Sequence, residues 1–209
     1  MIEIEELPVR RGNVPLRVAR GHFATNHSHI NYYIDISYQK TRLNEARDVG
    51  RQLAPYYRGI PVDTVLCLDG TAVIGTCLAE EISALSRSVN SGSAICVLEP
   101  EYNANSQIIF RDNVQPLIRN KRVLILMASV TTGFTANRSI EAIGYYGGTV
   151  AGVCALYSAV SEAAGQPVRS VYDVSDLPGY ESFDYRDCPY CKKGRRLDAL
   201  VNSFGYSAL

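Results

Sequence analysis

A threonine-rich turn at residues 128–135 follows the most hydrophobic segment of the chain and precedes a helical pattern. The first backbone N–H groups of a helix have no partner within it, and the helix dipole adds partial positive charge there. The turn also offers hydroxyl donors, and its glycine lets the backbone curl around an anion. These features predict a phosphate-monoester site. The predicted phosphate-binding residues are Ser129, Thr131, Thr132, Gly133, Phe134 and Thr135. The alternative is a threonine-rich helix cap without a ligand.

Cys188 and Cys191 have the C-x-x-C spacing of a zinc knuckle. One such pair supplies two of the four ligands of a closed zinc site. The other two come either from the histidines, which are all close together at His22, His27 and His29, or from the same pair in a symmetry mate. The alternatives are a redox pair, whose thioredoxin-like β-α-β context is missing here, and two plain thiols.

The elements that position these residues alternate along the chain. Apolar residues at helical spacing predict helices at residues 41–57, 72–86 and 134–146; the second has Ile74, Leu78, Ile82 and Leu85 on one face. Short apolar runs predict strands at residues 30–36, 62–68, 94–98, 107–110, 123–127, 149–157 and 169–174. The rest of residues 1–40 is predicted to be irregular, and residues 197–204 have helical spacing.

Strands that alternate with amphipathic helices predict an α/β fold with a mainly parallel twisted sheet of about five strands, flanked by helices. Residues 1–175 are predicted to form this domain, with residues 1–40 as a hood segment. Residues 176–209 are predicted to be a cysteine-containing tail, a candidate zinc-stapled appendage. The segments at the two ends of the domain are expected to pack together as a cap.

Composition narrows the possible classes of function. The 209 residues are 46% hydrophobic and 20% charged, so a disordered chain is excluded. Six cysteines are too few for a disulfide scaffold. No apolar run is long enough to span a bilayer, and the acidic N-terminus lacks a signal-peptide core, so a cytoplasmic protein without membrane partners is expected. A basic stretch with tyrosines at residues 185–196 suits nucleic acid, but the zero net charge favours a solvated tail.

The segment at residues 124–135 resembles the phosphoribosyl-pyrophosphate (PRPP) motif of type I phosphoribosyltransferases, which is an apolar strand, two acidic residues, two variable residues, Thr-Thr-Gly and a helix. The strand and the Thr-Thr-Gly match in order and spacing. Residues 69–72 lie where that family has its pyrophosphate loop, and residues 23–35 are similar to the hood segment of orotate phosphoribosyltransferases. Together the resemblance covers about residues 20–160.

The resemblance implies a pentosyltransferase of pyrimidine nucleotide metabolism that acts as a homodimer on PRPP with Mg²⁺. It places the base pocket at Asn26, His27 and Tyr32. It places the pyrophosphate loop at Asp69, Gly70, Thr71 and Ala72.

The chain departs from the family pattern at the catalytic half of the motif. Met127 and Ala128 replace the two acidic residues that hold the ribose hydroxyls in the family, and residues 99–107 contain no cation. Neither replacement accepts a hydrogen bond through its side chain. The sequence therefore predicts a phosphoribosyltransferase-like protein that binds PRPP or a nucleoside monophosphate. Enzymatic turnover stays open, with a catalytically degenerate nucleotide sensor or regulatory protein on the same fold as the alternative.

Overall fold

A computed structural model of the chain describes residues 2–7, 12–84 and 86–209, so Leu85 of the predicted helical face lies outside the described residues. The helices are α1 (Ser37–Thr41), α2 (Leu43–Leu53), α3 (Ala72–Ala84), α4 (Phe134–Tyr145) and α5 (Pro189–Lys192). The strands are β1 (Glu5–Leu7), β2 (Leu16–Ala24), β3 (His29–Asp35), β4 (Thr64–Cys67), β5 (Cys96–Leu98), β6 (Glu101–Tyr102), β7 (Ile108–Ile109), β8 (Arg122–Val130), β9 (Thr149–Ser158), β10 (Glu162–Ala163), β11 (Gln166–Asp173), β12 (Ser182–Phe183), β13 (Ala199–Asn202) and β14 (Gly205–Ala208). None of the helices in these ranges is both long and apolar enough to cross a bilayer.

The central sheet has the order β10-β11-β9-β8-β4-β5. Its β11, β9, β8, β4 and β5 are parallel, and β10 joins the edge antiparallel. Successive residues of β8 enter opposite cores: Leu124 and Leu126 pack on the side of α2 and α3, and Ile125 packs on the side of α4. A strand that is buried on both faces has no polar alternation. The predicted α/β fold with about five parallel strands is confirmed.

A second sheet covers one end of the central sheet and is called the hood sheet here. Its order is β12-β3-β2-β13-β14, with β1 paired to β2. The antiparallel pair β2–β3 comes from the N-terminal segment, and β12 and the β13–β14 hairpin come from residues 176–209. The two segments share a small core that includes Phe23, Tyr33 and Val201. The expected cap built from both end segments is confirmed.

The N-terminal segment is more regular than its sequence suggests. The prediction of an irregular stretch before residue 30 is wrong, because β2 runs for nine residues. The strand lacks a clear apolar pattern because two of its buried residues are polar. Arg17 is buried and donates two hydrogen bonds to Glu45 at 2.8 and 3.2 Å, and His22 is fully buried. The predicted helix at residues 41–57 is divided, since Arg42 has an extended ψ of 118° between α1 and α2.

Two other predicted elements also differ from the structure. Residues 128–130 continue β8 instead of forming a turn, so the turn itself is only residues 131–133. The helical spacing at residues 197–204 is misleading, because Ala199 and Val201 are buried while Leu200 between them is half exposed. That alternation is the period of a strand. β13 pairs in parallel with β2, and a tight turn leads into β14.

Candidate functional site

The carboxyl ends of the parallel strands face the hood sheet across a cavity of about 230 Å³. Open α/β sheets bind their ligands at this edge. The cavity brings together residues that the sequence singles out in three separate segments. The predicted site residues that line it are Asn26, His27, Tyr32, Asp69, Ser129, Thr131 and Thr135. It is continuous in its lining with an open groove of about 910 Å³ on the outer side of α4, since Asn26, His27 and Thr135 line both.

The threonine turn has the backbone geometry of an anion site. Gly133 begins α4 with a φ of 78°, in the left-handed region that favours glycine. The first backbone bond of the helix runs from the Asn137 N–H to the Gly133 carbonyl at 2.8 Å. The Phe134 N–H has only a long 3.5 Å contact with the Thr132 hydroxyl. The N–H groups of the first helical turn therefore have no partner within the helix, and an anionic oxygen at this place would accept hydrogen bonds from them.

The wall of the cavity that β8 forms lacks the acidic pair of the family motif. The Met127 side chain lines the cavity and is almost fully buried. The Ala128 side chain faces the opposite core, and its backbone N–H donates to Asp69 Oδ2 at 3.4 Å. Ser129 is the nearest hydroxyl along this strand that lines the cavity. This wall is thus apolar where a carboxylate would bind ribose hydroxyls.

The turn after β4 carries the carboxylate of the site. Asp69 and Gly70 have successive left-handed φ values of 60° and 73°. Burial raises the pKa of Asp69, against hydrogen bonds from Ala128 and Ser203 and the charge of Lys40. Lys40 Nζ donates to the Asp69 carbonyl at 3.0 Å and to the Ser203 carbonyl. Burial also lowers the pKa of Lys40, so the pair sits where neither charge is well solvated.

The last two residues of the predicted pyrophosphate loop have structural contacts. Thr71 is fully buried, and its hydroxyl donates to the carbonyls of Leu68 at 2.7 Å and Leu126 at 3.3 Å. Ala72 begins α3 and packs against the core. The part of this turn that reaches the cavity is therefore Asp69.

Basic side chains that follow residue 107 do not converge on the cavity. Arg111 pairs with Glu101 of the small β6–β7 hairpin at 2.9 Å. Arg122 pairs with Asp63 at 2.7 Å, at the amino ends of β8 and β4, opposite the threonine turn. Arg138 of α4 lines the outer groove, 5.6 Å from the centre of the Phe134 ring. The position of Arg138 makes it a cation that an anionic group in the groove would meet.

Sequence reasoning missed residues that the two end segments bring to the cavity. Asn202 and Ser203 of the β13–β14 turn line it, as does Tyr180. Burial raises the pKa of Tyr180 to about 12, so its hydroxyl stays protonated. Lys40 lies on a short helix and has no motif around it. Only the polar Asn-Ser pair between apolar residues signals a turn at 202–203, and nothing local signals where that turn packs.

The histidines divide between two places. The ring of His27 contacts the ring of Phe134 in a tilted arrangement, at a ring-centre distance of 5.1 Å, beside the threonine turn. The other two face the cysteine pair, and we call this group the His–Cys cluster: His22, His29, Cys188 and Cys191. Its four ligand atoms lie within 4.8 Å of one another. Burial, and after it the imidazole of His22, lowers the pKa of His29.

The basic stretch of the tail is partly neutralised by nearby carboxylates. Lys192 Nζ pairs with Asp187 at 3.0 Å, and Arg195 approaches Asp198 at 3.3 Å. The guanidinium of Arg195 also lies 5.2 Å from the centre of the Tyr190 ring. These contacts favour the solvated-tail interpretation over a nucleic-acid surface.

The central sheet, the hood and the threonine turn together define the fold of the type I phosphoribosyltransferases. Solved structures agree. The Corynebacterium diphtheriae phosphoribosyltransferase superposes with a TM-score of 0.53 at 19% identity, over 76% of this chain and 90% of that one. The Mycobacterium tuberculosis orotate phosphoribosyltransferase in complex with PRPP gives 0.52 at 21% identity, over 69% and 82%. Leishmania donovani UMP synthase gives 0.58 at 19% identity, over 85% of this chain and 36% of that one.

The comparison of amino-acid sequences finds the same resemblance as the comparison of structures. The orotate phosphoribosyltransferase of Caldanaerobacter subterraneus subsp. tengcongensis is 25% identical over 186 residues, which are 85% of this chain and 86% of that protein. No family model matches the chain. The predicted resemblance to type I phosphoribosyltransferases, and to the orotate branch in particular, is confirmed.

Proposed function

We propose that this protein binds a nucleoside 5′-monophosphate in the cavity under the hood. The observation that carries the proposal is that one cavity joins the threonine turn to the hood residues Asn26, His27 and Tyr32. The 5′-phosphate would accept hydrogen bonds from the start of α4 and from Thr131 and Thr135. The base would lie beneath the hood. The 230 Å³ cavity is smaller than the roughly 300–1,000 Å³ of typical ligand pockets, and its opening into the outer groove supplies the remaining space for a mononucleotide.

The charges of the cavity favour a monophosphate over PRPP. Asp69 is the carboxylate of the predicted pyrophosphate turn, and Lys40 beside it already donates to two carbonyls. A pyrophosphate would be repelled by Asp69 unless a cation lay between them. Mg²⁺ commonly takes one or two carboxylates and completes its shell with water and substrate phosphates, so the donor set fits Mg²⁺ only when PRPP is bound. Asp69 would then hold the ion, which screens the pyrophosphate charge.

A second candidate function is phosphoribosyl transfer to a base, and the similarity to an orotate phosphoribosyltransferase favours it. In such a reaction, neither the Met127 nor the Ala128 side chain offers a carboxylate to stabilise the positive charge that develops on the ribose. Removing a single group that stabilises transition-state charge typically slows a reaction by about 10²–10³-fold. Turnover with orotate and PRPP is therefore expected to be slow, with Ser129 as a neutral acceptor for a ribose hydroxyl.

Titration calorimetry separates the two candidates. UMP, OMP, AMP and GMP are titrated alone, and PRPP is titrated with and without Mg²⁺, alongside a PRPP-dependent orotate consumption assay. Micromolar binding of a monophosphate without turnover supports the first candidate. Mg²⁺-dependent PRPP binding with turnover supports the second. Binding of none of these ligands would refute both.

A pair of matched substitutions tests the location of the phosphate. Thr131→Val removes a hydroxyl that lines the cavity, and about 1 kcal/mol for a lost hydrogen bond corresponds to roughly fivefold weaker binding. Thr76→Val is the control, because the Thr76 hydroxyl is exposed on α3 and donates to the Ala72 carbonyl of its own helix at 2.9 Å. Equal affinities for the two variants would place the phosphate elsewhere.

A homodimer is proposed from the family resemblance alone. Light scattering coupled to size exclusion tests it directly. A monomeric mass at the concentrations used for ligand titration would refute it, and would show that one chain supplies the whole site.

A further inference from the structure

We propose that the His–Cys cluster binds one structural Zn²⁺ ion. The cluster lies at the junction of the hood strands and the C-terminal segment, on residues that the phosphate site does not use. His22 and Cys188 are fully buried, His29 is half-buried and Cys191 is exposed. Such a grouping of two imidazoles and two thiols matches the Cys₂His₂ ligand set of structural zinc sites.

Four of the six distances between the ligand atoms match a tetrahedron around zinc, and the other two are no longer than 4.8 Å. Zn–N bonds of about 2.05 Å and Zn–S bonds of about 2.3 Å separate two nitrogens by about 3.3 Å and a nitrogen from a sulfur by about 3.5 Å. His22 Nε2 lies 3.2 Å from His29 Nδ1. Cys188 Sγ lies 3.4 Å from His22 Nε2, and Cys191 Sγ lies 3.7 and 3.3 Å from the two imidazole nitrogens. One ion among these atoms would bond to all four after the Cys188 thiol moves towards the other ligands by at most about 1 Å.

The buried imidazole is held in the tautomer that a metal needs. His22 Nδ1 lies 3.1 Å from the carbonyl oxygens of both Arg195 and Arg196. A carbonyl only accepts, so the ring proton belongs on Nδ1, and the lone pair of Nε2 faces the cluster. Zinc-bound histidines usually donate their second N–H to a carbonyl or carboxylate in this way.

A local irregularity of the backbone accompanies His22 and the two cysteines, whereas His29 is the first residue of β3. The register of β2 against β3 shifts between Arg20 and Phe23, and this bulge turns His22 inward. The tail folds into a tight turn in which Cys188 precedes α5 and the Gly194 N–H donates to the Cys191 carbonyl at 2.9 Å. The cluster therefore depends on two local departures from regular structure, which a shared ion would hold together.

Charge balance favours a divalent metal over a bare hydrogen-bonded cluster. When Zn²⁺ binds, each thiol loses its proton to solvent, and both imidazoles stay neutral. The two thiolates cancel the charge of the ion, so the buried site as a whole is neutral. Nothing is oxidised or reduced, and no protein bond breaks. A tetrahedral S₂N₂ ligand set suits zinc or an iron–sulfur centre, and ligand atoms this close together favour a single Zn²⁺ ion.

The ion would join the two segments of the hood. His22 and His29 belong to β2 and β3, and the cysteines precede the hairpin whose turn lines the nucleotide cavity at Asn202 and Ser203. Two hydrogen bonds join the same segments nearby. The His22 N–H donates to Asp198 Oδ2 at 2.7 Å, and the Asp198 N–H donates to the His22 carbonyl at 2.8 Å. Zinc at this place would fix the cavity wall without touching a ligand.

Metal analysis of the full-length protein, purified without chelator, tests the proposal. One Zn²⁺ per chain is expected by elemental analysis. X-ray absorption is expected to show two sulfurs at about 2.3 Å and two nitrogens at about 2.0–2.1 Å. Substoichiometric metal, or a shell of oxygen ligands, would overturn the proposal.

Matched variants locate the metal. Cys188→Ser and His22→Gln are expected to lose most of the zinc, whereas Cys96→Ser, at a half-buried free cysteine outside the cluster, and His27→Gln are expected to keep it. If the first pair fails to fold, thiol titration of the unmodified protein replaces it: chelation is expected to expose two additional reactive thiols. A Cys188–Cys191 disulfide in protein purified under reducing conditions, or zinc loss in Cys96→Ser alone, would contradict the assignment.

Discussion

Replacement of Gly133 by alanine tests the geometry at the start of α4. A Cβ built at Gly133 would lie 3.6 Å from the Ala163 Cβ and 4.0 Å from Asn137 Oδ1, which are ordinary contacts. The cost is therefore one of backbone conformation: a left-handed L-residue costs about 1–2 kcal/mol. The loss of glycine's unfolded-state entropy offsets about 0.4–1 kcal/mol of that. We expect Gly133→Ala to lower the free energy of unfolding by about 0.5–1 kcal/mol.

Gly144→Ala is the matched control in the same helix. Gly144 has an ordinary φ, and no atom lies within 4 Å of a Cβ built there. Alanine in an exposed helical position is better than glycine by about 0.5–1 kcal/mol, so this variant should be more stable than the parent. Urea unfolding at constant m-value measures both changes, and titration with UMP should show weakened binding for Gly133→Ala alone. Equal stabilities for the two variants would refute the left-handed assignment.

Other predictions concern charged residues away from the threonine turn. Lys40→Met is expected to lower the free energy of unfolding by about 1–3 kcal/mol in urea melts, because the carbonyls of Asp69 and Ser203 lose their charged hydrogen-bond donor; an unchanged free energy of unfolding would contradict that role. The hydrogen bond from Arg122 lowers the pKa of Asp63 to about 2. The pair therefore contributes stability above about pH 4, which is close to the pKa of Asp63 in the unfolded chain. The free energies of unfolding of Asp63→Asn and of the parent should differ most at neutral pH and should become equal towards pH 2 in urea melts. Arg17 belongs to a buried ion pair, and Arg17→Met should lower the free energy of unfolding by about 3 kcal/mol. Arg20 belongs to an exposed ion pair on the same strand, and Arg20→Met should change it by less than about 1 kcal/mol. Equal effects of the two substitutions in urea melts would refute the role of burial.

The central sheet follows from the sequence because its strands and helices carry local patterns. The run of apolar residues in β8 signals burial on both faces, and the spacing in α3 signals an amphipathic helix. β2 escapes detection because the partner that makes its arginine burial tolerable, Glu45, is 28 residues away. The strand at β13 is hidden for a similar reason, since its pairing with β2 crosses most of the chain.

The candidate site divides in the same way. The threonine turn is local, since strand, glycine and helix start adjoin one another in sequence. The partners of the cysteine pair are separated from it by more than 150 residues, so the sequence leaves histidines and a symmetry mate as alternatives. Lys40 donates hydrogen bonds to Asp69 and Ser203, which line the cavity, and no sequence motif indicates these contacts.

The composition of the hood sheet bears on how the chain assembles during synthesis. The five parallel strands are complete once residue 173 has been made, but the wall that holds Asn202 and Ser203 still lacks its backbone at that moment. The central sheet can therefore form before the cavity under the hood exists, and closure of that cavity must await contacts of very high sequence separation. If the cavity binds a nucleotide as proposed, a nascent chain that has formed its central sheet would not yet bind it. Under that proposal, a nucleotide would stabilise chains that extend beyond residue 203 but not shorter ones.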